Sequence, residues 1–350
     1  MIYKIKMNGL NVYGSTVDTT LLSPSLDIEL NAAGSLEFTM PYTHMNYNDP
    51  RIMTTDVEVY EEDELIWYGR VCETDISINR DKRVYCEGAL AFFNDSIQRP
   101  AEFEAVTVSS FFRTVIQNHN SQVPLNRQFK VGTVDIRNIS VYRKLSYEKT
   151  IDVLNRMCLE AEGGYFIFRK EGTENVIDWL SGVPYEGSQP IQLGLNISDL
   201  SIKTDGSKLR TAILPLGKEV DGERVTIASV NSGYDYIKTD DADEYGNIIE
   251  VVEFSDIDTP ADLLTEARRW MHEEFEDPVT IECNAAELHY IDNTYTPFAV
   301  GQTVRATSNV HLLDKTLPIT KMHIDLDSPV KKISVGTPEK RRLTEIYKQK

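Results

Sequence analysis

Residues Phe298–Gly336 read FAVGQTVRATSNVHLLDKTLPITKMHIDLDSPVKKISVG and contain the clearest strand pattern of the chain. Three apolar residues in this stretch alternate with polar ones, as on a strand with one buried face: Met322, Ile324 and Leu326. The tripeptide Asp327-Ser328-Pro329 then predicts a turn, because Pro cannot donate to a strand ladder and Asp and Ser bond local backbone. The alternation resumes at Ile333 and Val335. The stretch therefore predicts a β-barrel module and not a catalytic site.

The N-terminal region also predicts strands. Between the alternating Val57 and Val59 and the apolar run Leu65–Tyr68 lies an acidic turn of four residues: Glu61, Glu62, Asp63 and Glu64. The strand region Val57–Gly88 spans 32 residues, and Val304–Gly336 spans 33 with a similar order of strands. This similarity suggests an internal duplication of barrels.

A hairpin is expected over Arg70–Gly88. Its first strand carries Ile76 and Ile78, and its second strand carries Val84 and Cys86. Both pairs face one core only if the loop has an odd number of residues, such as Arg80-Asp81-Lys82, because side chains alternate between the two faces of a sheet. We therefore expect both isoleucines to be buried.

The middle of the chain has the apolar period of helices. After Thr107, a suitable N-cap, five residues recur at helical spacing: Val108, Phe111, Phe112, Val115 and Ile116. A second helix is predicted from Ser146, with Tyr147, Ile151, Leu154, Cys158 and Ala161 on its apolar face. It ends at Gly163-Gly164, where the left-handed conformation is accessible. A hairpin around Gly172 follows, so that residues of about 99–193 form an α+β insertion between β regions.

A third helix has the most complete start signal. Thr259 is its N-cap, Pro260 its first residue, and Asp262 completes a capping box. Strands are expected on either side, over Ile248–Phe254 and Val279–Cys283. A last short helix is predicted after Thr337.

Length and composition describe a folded protein of two to three domains: 350 residues, 41% hydrophobic and 26% charged. No apolar run approaches the ~18 residues of a membrane helix, and the N-terminus lacks a signal-peptide pattern. We therefore expect synthesis in a cytoplasm and no membrane insertion.

The net charge is −19, of which the segment Asp235–Asp277 contributes −12 with 15 acids and 3 bases. Such a charge argues against binding nucleic acid by phosphate neutralisation.

No complete catalytic, cofactor or metal motif occurs. His272–Glu276 begins like a zincin helix, but Glu276 replaces the second histidine. Asp241, Asp243 and Gly246 imitate a calcium loop, whereas Tyr245 and Val252 occupy ligand positions. We expect reduced, buried thiols at four scattered cysteines: Cys72, Cys86, Cys158 and Cys283. A Cys–His nucleophile pair is an open alternative to structural histidines. We therefore predict no catalytic residues, no cofactors and no metals.

Short sequence words occur in order along nearly the whole chain. They are Asn118-His119-Asn120, Glu162-Gly163-Gly164-Tyr165, Leu214-Pro215-Leu216-Gly217, VNSGYDYI over Val230–Ile237, Tyr245-Gly246, AAELHYID over Ala285–Asp292, and Ile333-Ser334-Val335-Gly336. On these words the chain resembles the tail-associated lysin (prophage endopeptidase tail) family of phage and prophage tail proteins. It is also similar to the baseplate hub proteins of contractile-tailed phages.

The resemblance implies a β-rich α+β fold with two small β-barrels and two inserted domains. The expected first barrel covers residues 1–98, with an α+β domain inserted over 99–193. The second barrel covers 194–245 and 290–337, with a smaller α/β domain inserted over 246–289. Residues 338–350 are expected to form a helical tail.

The resemblance further implies a structural virion protein without enzymatic activity. It would form a homotrimeric hub at the tail tip or baseplate, between distal tail or tail tube proteins and downstream tip or fibre proteins. Genomic DNA would pass through the ring without specific binding. Two alternatives are a host-surface carbohydrate-binding module, served by the tyrosine pairs Tyr234/Tyr236 and Tyr290/Tyr295, and a tail-associated peptidoglycan endopeptidase.

If the chain lines a tail lumen, acids should face the channel, because an anionic wall repels DNA and lets it slide. The candidates for this role are the residues of the acidic turn: Glu61, Glu62, Asp63 and Glu64.

Overall fold

The computed structural model describes residues 2–14, 19–220, 222–275 and 279–336, and only the backbone of Lys208 and of residues 272–274. The helical tail expected over 338–350, and the side chains of the zincin-like stretch apart from Phe275, lie outside the described residues. The chain divides into two compact units, Met1–Ser201 with Glu282–Lys350, and Ile202–Ile281. The five-part division expected from the sequence is finer than this and stays a prediction.

The N-terminal part of the first unit consists of strands that alternate between buried and exposed side chains. They are β1 (Tyr3–Met7), β2 (Leu10–Tyr13), β3 (Leu22–Glu29), β4 (Ser35–Met40), β5 (Asp56–Glu61), β6 (Glu64–Ile76) and β7 (Lys82–Gly88). The short 3-10 helix Ala89–Asp95 follows and is buried over its first five residues. This confirms the β-rich start of the chain.

The middle part of the first unit combines helices with small sheets. Its elements are β8 (Ala101–Thr107), α1 (Val108–Asn120), β9 (Phe129–Asp135), β10 (Ser140–Leu145), α2 (Thr150–Leu154), α3 (Glu160–Glu162), β11 (Tyr165–Glu171), β12 (Glu174–Leu180), β13 (Tyr185–Glu186) and β14 (Ile191–Gln192). A π-helical turn, Asn155–Leu159, joins α2 to α3. The predicted face of α1 and the ring of Trp179 are buried in one core. Thr107 caps α1 as expected, with its Oγ1 3.3 Å from the Ser110 N–H.

The second helix begins later than predicted. Tyr147 has φ of +60° and is 66% exposed, so it cannot belong to the apolar face of a helix. Helical backbone starts at Thr150 and ends at Gly163, whose φ is +72°. The glycine stop was therefore predicted correctly, and the start was placed four residues too early.

The second unit holds short strands and one long helix. The chain enters it within β15 (Ile197–Thr204), whose first five residues belong to the first unit. The elements that follow are β16 (Ala212–Leu216), β17 (Glu219–Val220), β18 (Glu223–Arg224), β19 (Ile237–Lys238), α4 (Ala242–Tyr245), β20 (Ile249–Glu253) and α5 (Pro260–Glu274). Leu263 and Ala267 of α5 pack on Ile213 of β16. The Thr259 cap and the Pro260 start are as predicted, and the hydroxyl of Thr259 donates to the Asp262 carboxylate at 2.6 Å.

The chain returns to the first unit within β21 (Val279–Ala286), followed by β22 (Gln302–Ser308), β23 (Leu313–Asp325) and β24 (Val330–Gly336). Met322, Ile324 and Ile333 are buried, which confirms the alternation that the sequence predicted there. In the main sheet the strand order is β15-β21-β24-β23-β3-β4-β7-β6-β5-β1-β2, and β22 pairs with β13, β14 and β23. Strand β23 therefore joins the last β region to the first, with Ile324 opposite Leu26.

The strand pairing of the described residues does not close into a barrel. The β-rich class is confirmed, whereas the two barrels stay a prediction.

The β6–β7 hairpin differs from expectation at its tip. Its loop, Ser77–Asp81, has an odd number of residues, as parity requires, because Ile76 pairs with Lys82. However, Ile76 is 57% exposed and Ile78 is 98% exposed, whereas Val84 and Cys86 are buried. The expectation of two buried isoleucines was wrong, because this end of the hairpin extends beyond the layer that covers its face.

Candidate functional site

The structure separates the four residues of the acidic turn. Glu62, Asp63 and Glu64 are exposed at the turn between β5 and β6. The Asp63 carboxylate accepts from Lys4 Nζ at 2.9 Å, and Glu62 lies 3.7 Å from His289 Nε2. Glu61, by contrast, is only 5% exposed. A carboxylate this deeply buried does not face solvent, so the assignment of Glu61 as a lumen acid was wrong.

Glu61 belongs to a group of buried polar side chains that we call the Lys331 cluster: Lys331, Glu61, Glu287, Tyr3 and Tyr290. Lys331 lies on β24 and is completely buried. Its Nζ is 2.9 Å from Glu61 and 2.6 Å from Glu287. One ammonium group therefore pairs with two carboxylates in the interior of the first unit.

Both carboxylates also accept hydrogen bonds from groups other than Lys331. Tyr290 donates its hydroxyl to Glu61 Oε1, and Tyr3 donates to the same oxygen at 3.3 Å. The oxygens of Glu287 accept from the Phe298 backbone N–H at 2.9 Å and from Gln189 Nε2 at 2.6 Å. The cluster is thus satisfied on every side, as buried charge must be to persist in a fold.

Burial and the adjacent Glu61 carboxylate raise the pKa of both tyrosine hydroxyls well above the ordinary value of 10.0. The tyrosines therefore stay protonated and act as donors at all physiological pH values.

Sequence reasoning missed Lys331, Glu287 and Tyr3, and it assigned Tyr290 a different role, in carbohydrate binding. A signal was present, because the alternation that buries Ile333 and Val335 also places Lys331 on the core face two residues earlier. A lysine at such a position requires a buried acid. The sequence does not show which acids approach, since Glu61 lies 270 residues away along the chain.

The four cysteines, which are the candidate nucleophiles of the sequence, lie where their thiols are unreactive. Burial raises the pKa of Cys72 to about 11 and that of Cys283 to about 12, and it also raises the pKa values of Cys86 and Cys158. A raised pKa keeps a thiol protonated and unreactive at neutral pH. Among the described residues, no group of three or more His, Cys, Asp or Glu is placed to hold a metal ion.

His119 has a structural role. Its ring is buried, with Nδ1 2.7 Å from the hydroxyl of Ser96 and Nε2 3.0 Å from the carbonyl of Arg127. Burial lowers the pKa of His119, which favours the neutral imidazole. The neighbouring Asn120 exchanges hydrogen bonds with the backbone of Phe129. This sequence word therefore fixes the end of α1 to β9.

The proposed pair of exposed aromatics at Tyr290 and Tyr295 does not exist as such. Both side chains are half-buried, and the hydroxyl of Tyr290 is directed into the Lys331 cluster. The rings of Tyr234 and Tyr236 do contact each other, with centroids 5.8 Å apart. No helix in the described part of the chain is long and apolar enough to cross a membrane.

Comparison with known proteins gives one family match and several matches in fold. The family model described as prophage endopeptidase tail matches residues 185–340. No curated protein matches the chain significantly. The tail protein of Neisseria meningitidis has a similar structure, with a TM-score of 0.64 at 12% identity, over 96% of this chain and 96% of that one.

Two further solved structures are similar. The prophage tail protein gp18 of Listeria monocytogenes has a TM-score of 0.62 at 14% identity, over 99% of this chain and 97% of that one. The E. coli c3393 protein, a type VI secretion component described as similar to the T4 tail proteins gp27 and gp5, has a TM-score of 0.51 at 13% identity, over 97% of this chain and 78% of that one. The resemblance seen in the sequence is thereby confirmed: residues 185–340 match the prophage endopeptidase tail family, and the fold of the chain is similar to that of phage and prophage tail proteins.

Proposed function

We propose that the protein is the trimeric hub of the tail tip or baseplate of a tailed phage, prophage or phage-like particle. It would connect distal tail or tail tube proteins with downstream tip or fibre proteins, after synthesis in the host cytoplasm. The fold shared with prophage tail proteins supports a structural role in the tail. Similarity to a protein described as resembling gp27 and gp5 supports a place at the hub.

The observation that carries the proposal is a repeated unit of three antiparallel strands. Strands β5, β6 and β7 contain 6, 13 and 7 residues, and β22, β23 and β24 contain 7, 13 and 7. The pairing of the second strand with the third is interrupted by a register shift in both units. Three copies of a chain with two such units would present six similar surfaces, which suits an adapter between sixfold and threefold parts of a tail.

Contacts of the edge strand β2 support a barrel-like first region. The hydroxyl of Tyr13 donates to the Asp327 carboxylate and lies 3.4 Å from the carbonyl of Leu326. The edge strand β2 therefore approaches the end of β23, although the two are seven strands apart in the sheet order. Side chains, rather than a backbone ladder, would complete this proposed barrel.

The test is the copy number and symmetry of the protein in an assembled tail. Electron cryomicroscopy of the tail should show three copies around the tail axis, with contacts mainly between the regions at 1–98, 194–245 and 290–337. The contacts should be head-to-tail, because a cyclic trimer uses two different surfaces of each subunit. One copy per tail, or two copies related by a dyad, contradicts the proposal.

We further propose that the hub has no enzymatic activity of its own, although the family name mentions an endopeptidase. The raised pKa of the Cys158 thiol, caused mainly by burial, supports this view. Purified protein incubated with host peptidoglycan should release no fragments. Cleavage by the wild type that is abolished in Cys158→Ala or His272→Ala, with folding retained, contradicts it.

Glu62, Asp63 and Glu64 remain our candidates for an anionic lumen wall. Their exposure supports this placement, and repulsion between the wall and DNA would let the genome slide past. Replacement of the three acids by lysine should slow DNA ejection from assembled particles. Unchanged ejection from particles that contain the variant hub contradicts the assignment.

A further inference from the structure

The Lys331 cluster connects the first and the last β regions of the chain through buried charge. Tyr3 lies on β1 and Glu61 ends β5, whereas Lys331 lies on β24 and Glu287 directly follows β21. Lys331 Nζ also lies 3.4 Å from the carbonyl oxygen of Phe298. One side chain therefore reaches three separate segments at once.

Stability alone does not explain such a cluster. Three ionisable groups lose their hydration here, and well-packed apolar side chains of similar volume commonly give equal or greater stability. In some proteins buried charge selects one arrangement, because a displaced arrangement would leave a charge without its partner. The distances of 2.6 and 2.9 Å around Lys331 Nζ leave little tolerance for displacement.

We propose that the Lys331 cluster is a docking lock, which selects one position of β24 and of the segment between Glu287 and Phe298 on strands β1 and β5. In this way the lock fixes the angle between the first and the last β regions. This consequence rests on the proposed hub, since a closed ring of six similar surfaces requires that angle to be the same in every copy.

The neighbouring lysine provides a matched control. Lys332 lies next to Lys331 on the same strand, but its side chain is 58% exposed and reaches Glu282 only at 4.0 Å. Lys331→Met and Lys332→Met thus make the same chemical change in two environments. A triple variant, Glu61→Gln with Glu287→Gln and Lys331→Met, removes all charge from the cluster at nearly constant volume.

Two measurements on the purified protein test the lock without any ring: the melting temperature and the hydrogen exchange of backbone amides. Lys331→Met should lower the melting temperature by roughly 6–20 °C, because it leaves two buried carboxylates without their cation. Lys332→Met should leave both quantities unchanged. The triple variant leaves no buried charge unpaired and should melt well above Lys331→Met, while amides of Tyr3–Met7 and Asp56–Glu61 exchange at least about tenfold faster than in the wild type.

Three outcomes overturn the lock. Equal melting temperatures of Lys331→Met and Lys332→Met would show that the charges hold nothing in place. Wild-type exchange rates in the triple variant would show that apolar packing alone selects the position. A triple variant that fails to fold would make the cluster a source of stability instead of specificity. Copy number in assembled tails is measured separately, so that failure of the hub proposal leaves the result for the lock intact.

Discussion

Glutamate-to-glutamine changes at the two ends of the acidic turn should have very different effects. Glu61 and Glu64 pair directly across the turn between β5 and β6, but Glu61 is buried and Glu64 is exposed. Glu61→Gln keeps the side-chain volume and removes the charge that faces Lys331 Nζ at 2.9 Å. Glu64→Gln removes a charge from the surface. Both variants lose the same charge, so a difference between their stabilities reports the effect of burial.

The expected loss for Glu61→Gln follows from the contacts of Lys331. Breaking a buried ion pair costs about 3–5 kcal/mol, and a hydrogen bond to a charged group contributes about 1.5–3 kcal/mol. Lys331 keeps its second carboxylate, Glu287 at 2.6 Å, and both tyrosines still find an acceptor in the glutamine oxygen. We therefore expect a decrease of about 2–3 kcal/mol in the free energy of unfolding, against at most about 0.5 kcal/mol for Glu64→Gln.

Urea unfolding followed by far-ultraviolet circular dichroism measures both variants under the same conditions. Equal losses in the two variants would refute the reasoning, since the surface position would then be as sensitive as the buried one. A Glu61→Gln variant as stable as the wild type would also refute it, because the Lys331 cluster would not depend on the second carboxylate.

Three further predictions concern other buried groups. The pKa of Tyr290 is raised above 10.0 in the fold, so the stability that this hydroxyl contributes is fully present below pH 10.0 and is lost as the pH rises further. Between about pH 8 and about pH 11, the melting temperature of Tyr290→Phe should therefore fall less steeply than that of the wild type. The lowered pKa of His119 has the opposite effect: the stability that its neutral ring contributes is fully present above pH 6.5 and is lost as the pH falls below that value. In the same assay, the melting temperature of His119→Gln should therefore decrease less than that of the wild type on the acid side. Phe112 is fully buried, and its ring lies 5.2 Å from that of Trp179. Phe112→Ala should lower the free energy of unfolding in urea by about 3–5 kcal/mol, and a loss below about 1 kcal/mol would contradict the place of Phe112 in the core.

The elements that sequence reasoning predicted best carry their own start and stop signals. Helix α5 has Thr259, Pro260 and Asp262 within four positions, and the end of β23 alternates from Met322 onward up to a turn. Such signals act over a few residues and do not depend on what packs against the element. The β-rich class and the resemblance to phage tail proteins could therefore be predicted from the sequence.

The failures have a common physical cause, which is that local patterns do not report what covers a side chain. Parity assigned Ile76 to the correct face of its hairpin, but no other layer extends over that end. Charge assigned Glu61 to the surface, although Lys331 and Tyr290 bury it from distant parts of the chain. Both errors concern contacts between residues far apart in sequence, which periodicity does not contain.

The position of β23 between β24 and β3 has a consequence for folding during synthesis. Ile324 pairs with Leu26, nearly 300 residues earlier, so the edge of β3 that does not pair with β4 lacks its partner until almost the whole described chain has left the ribosome. Pairing over such a distance makes folding slow, and waiting strands expose edges that aggregate. We therefore expect ribosome-bound chains to depend on chaperones, and nonsense truncations before β23 to yield insoluble protein. Only completed chains would then enter the particle.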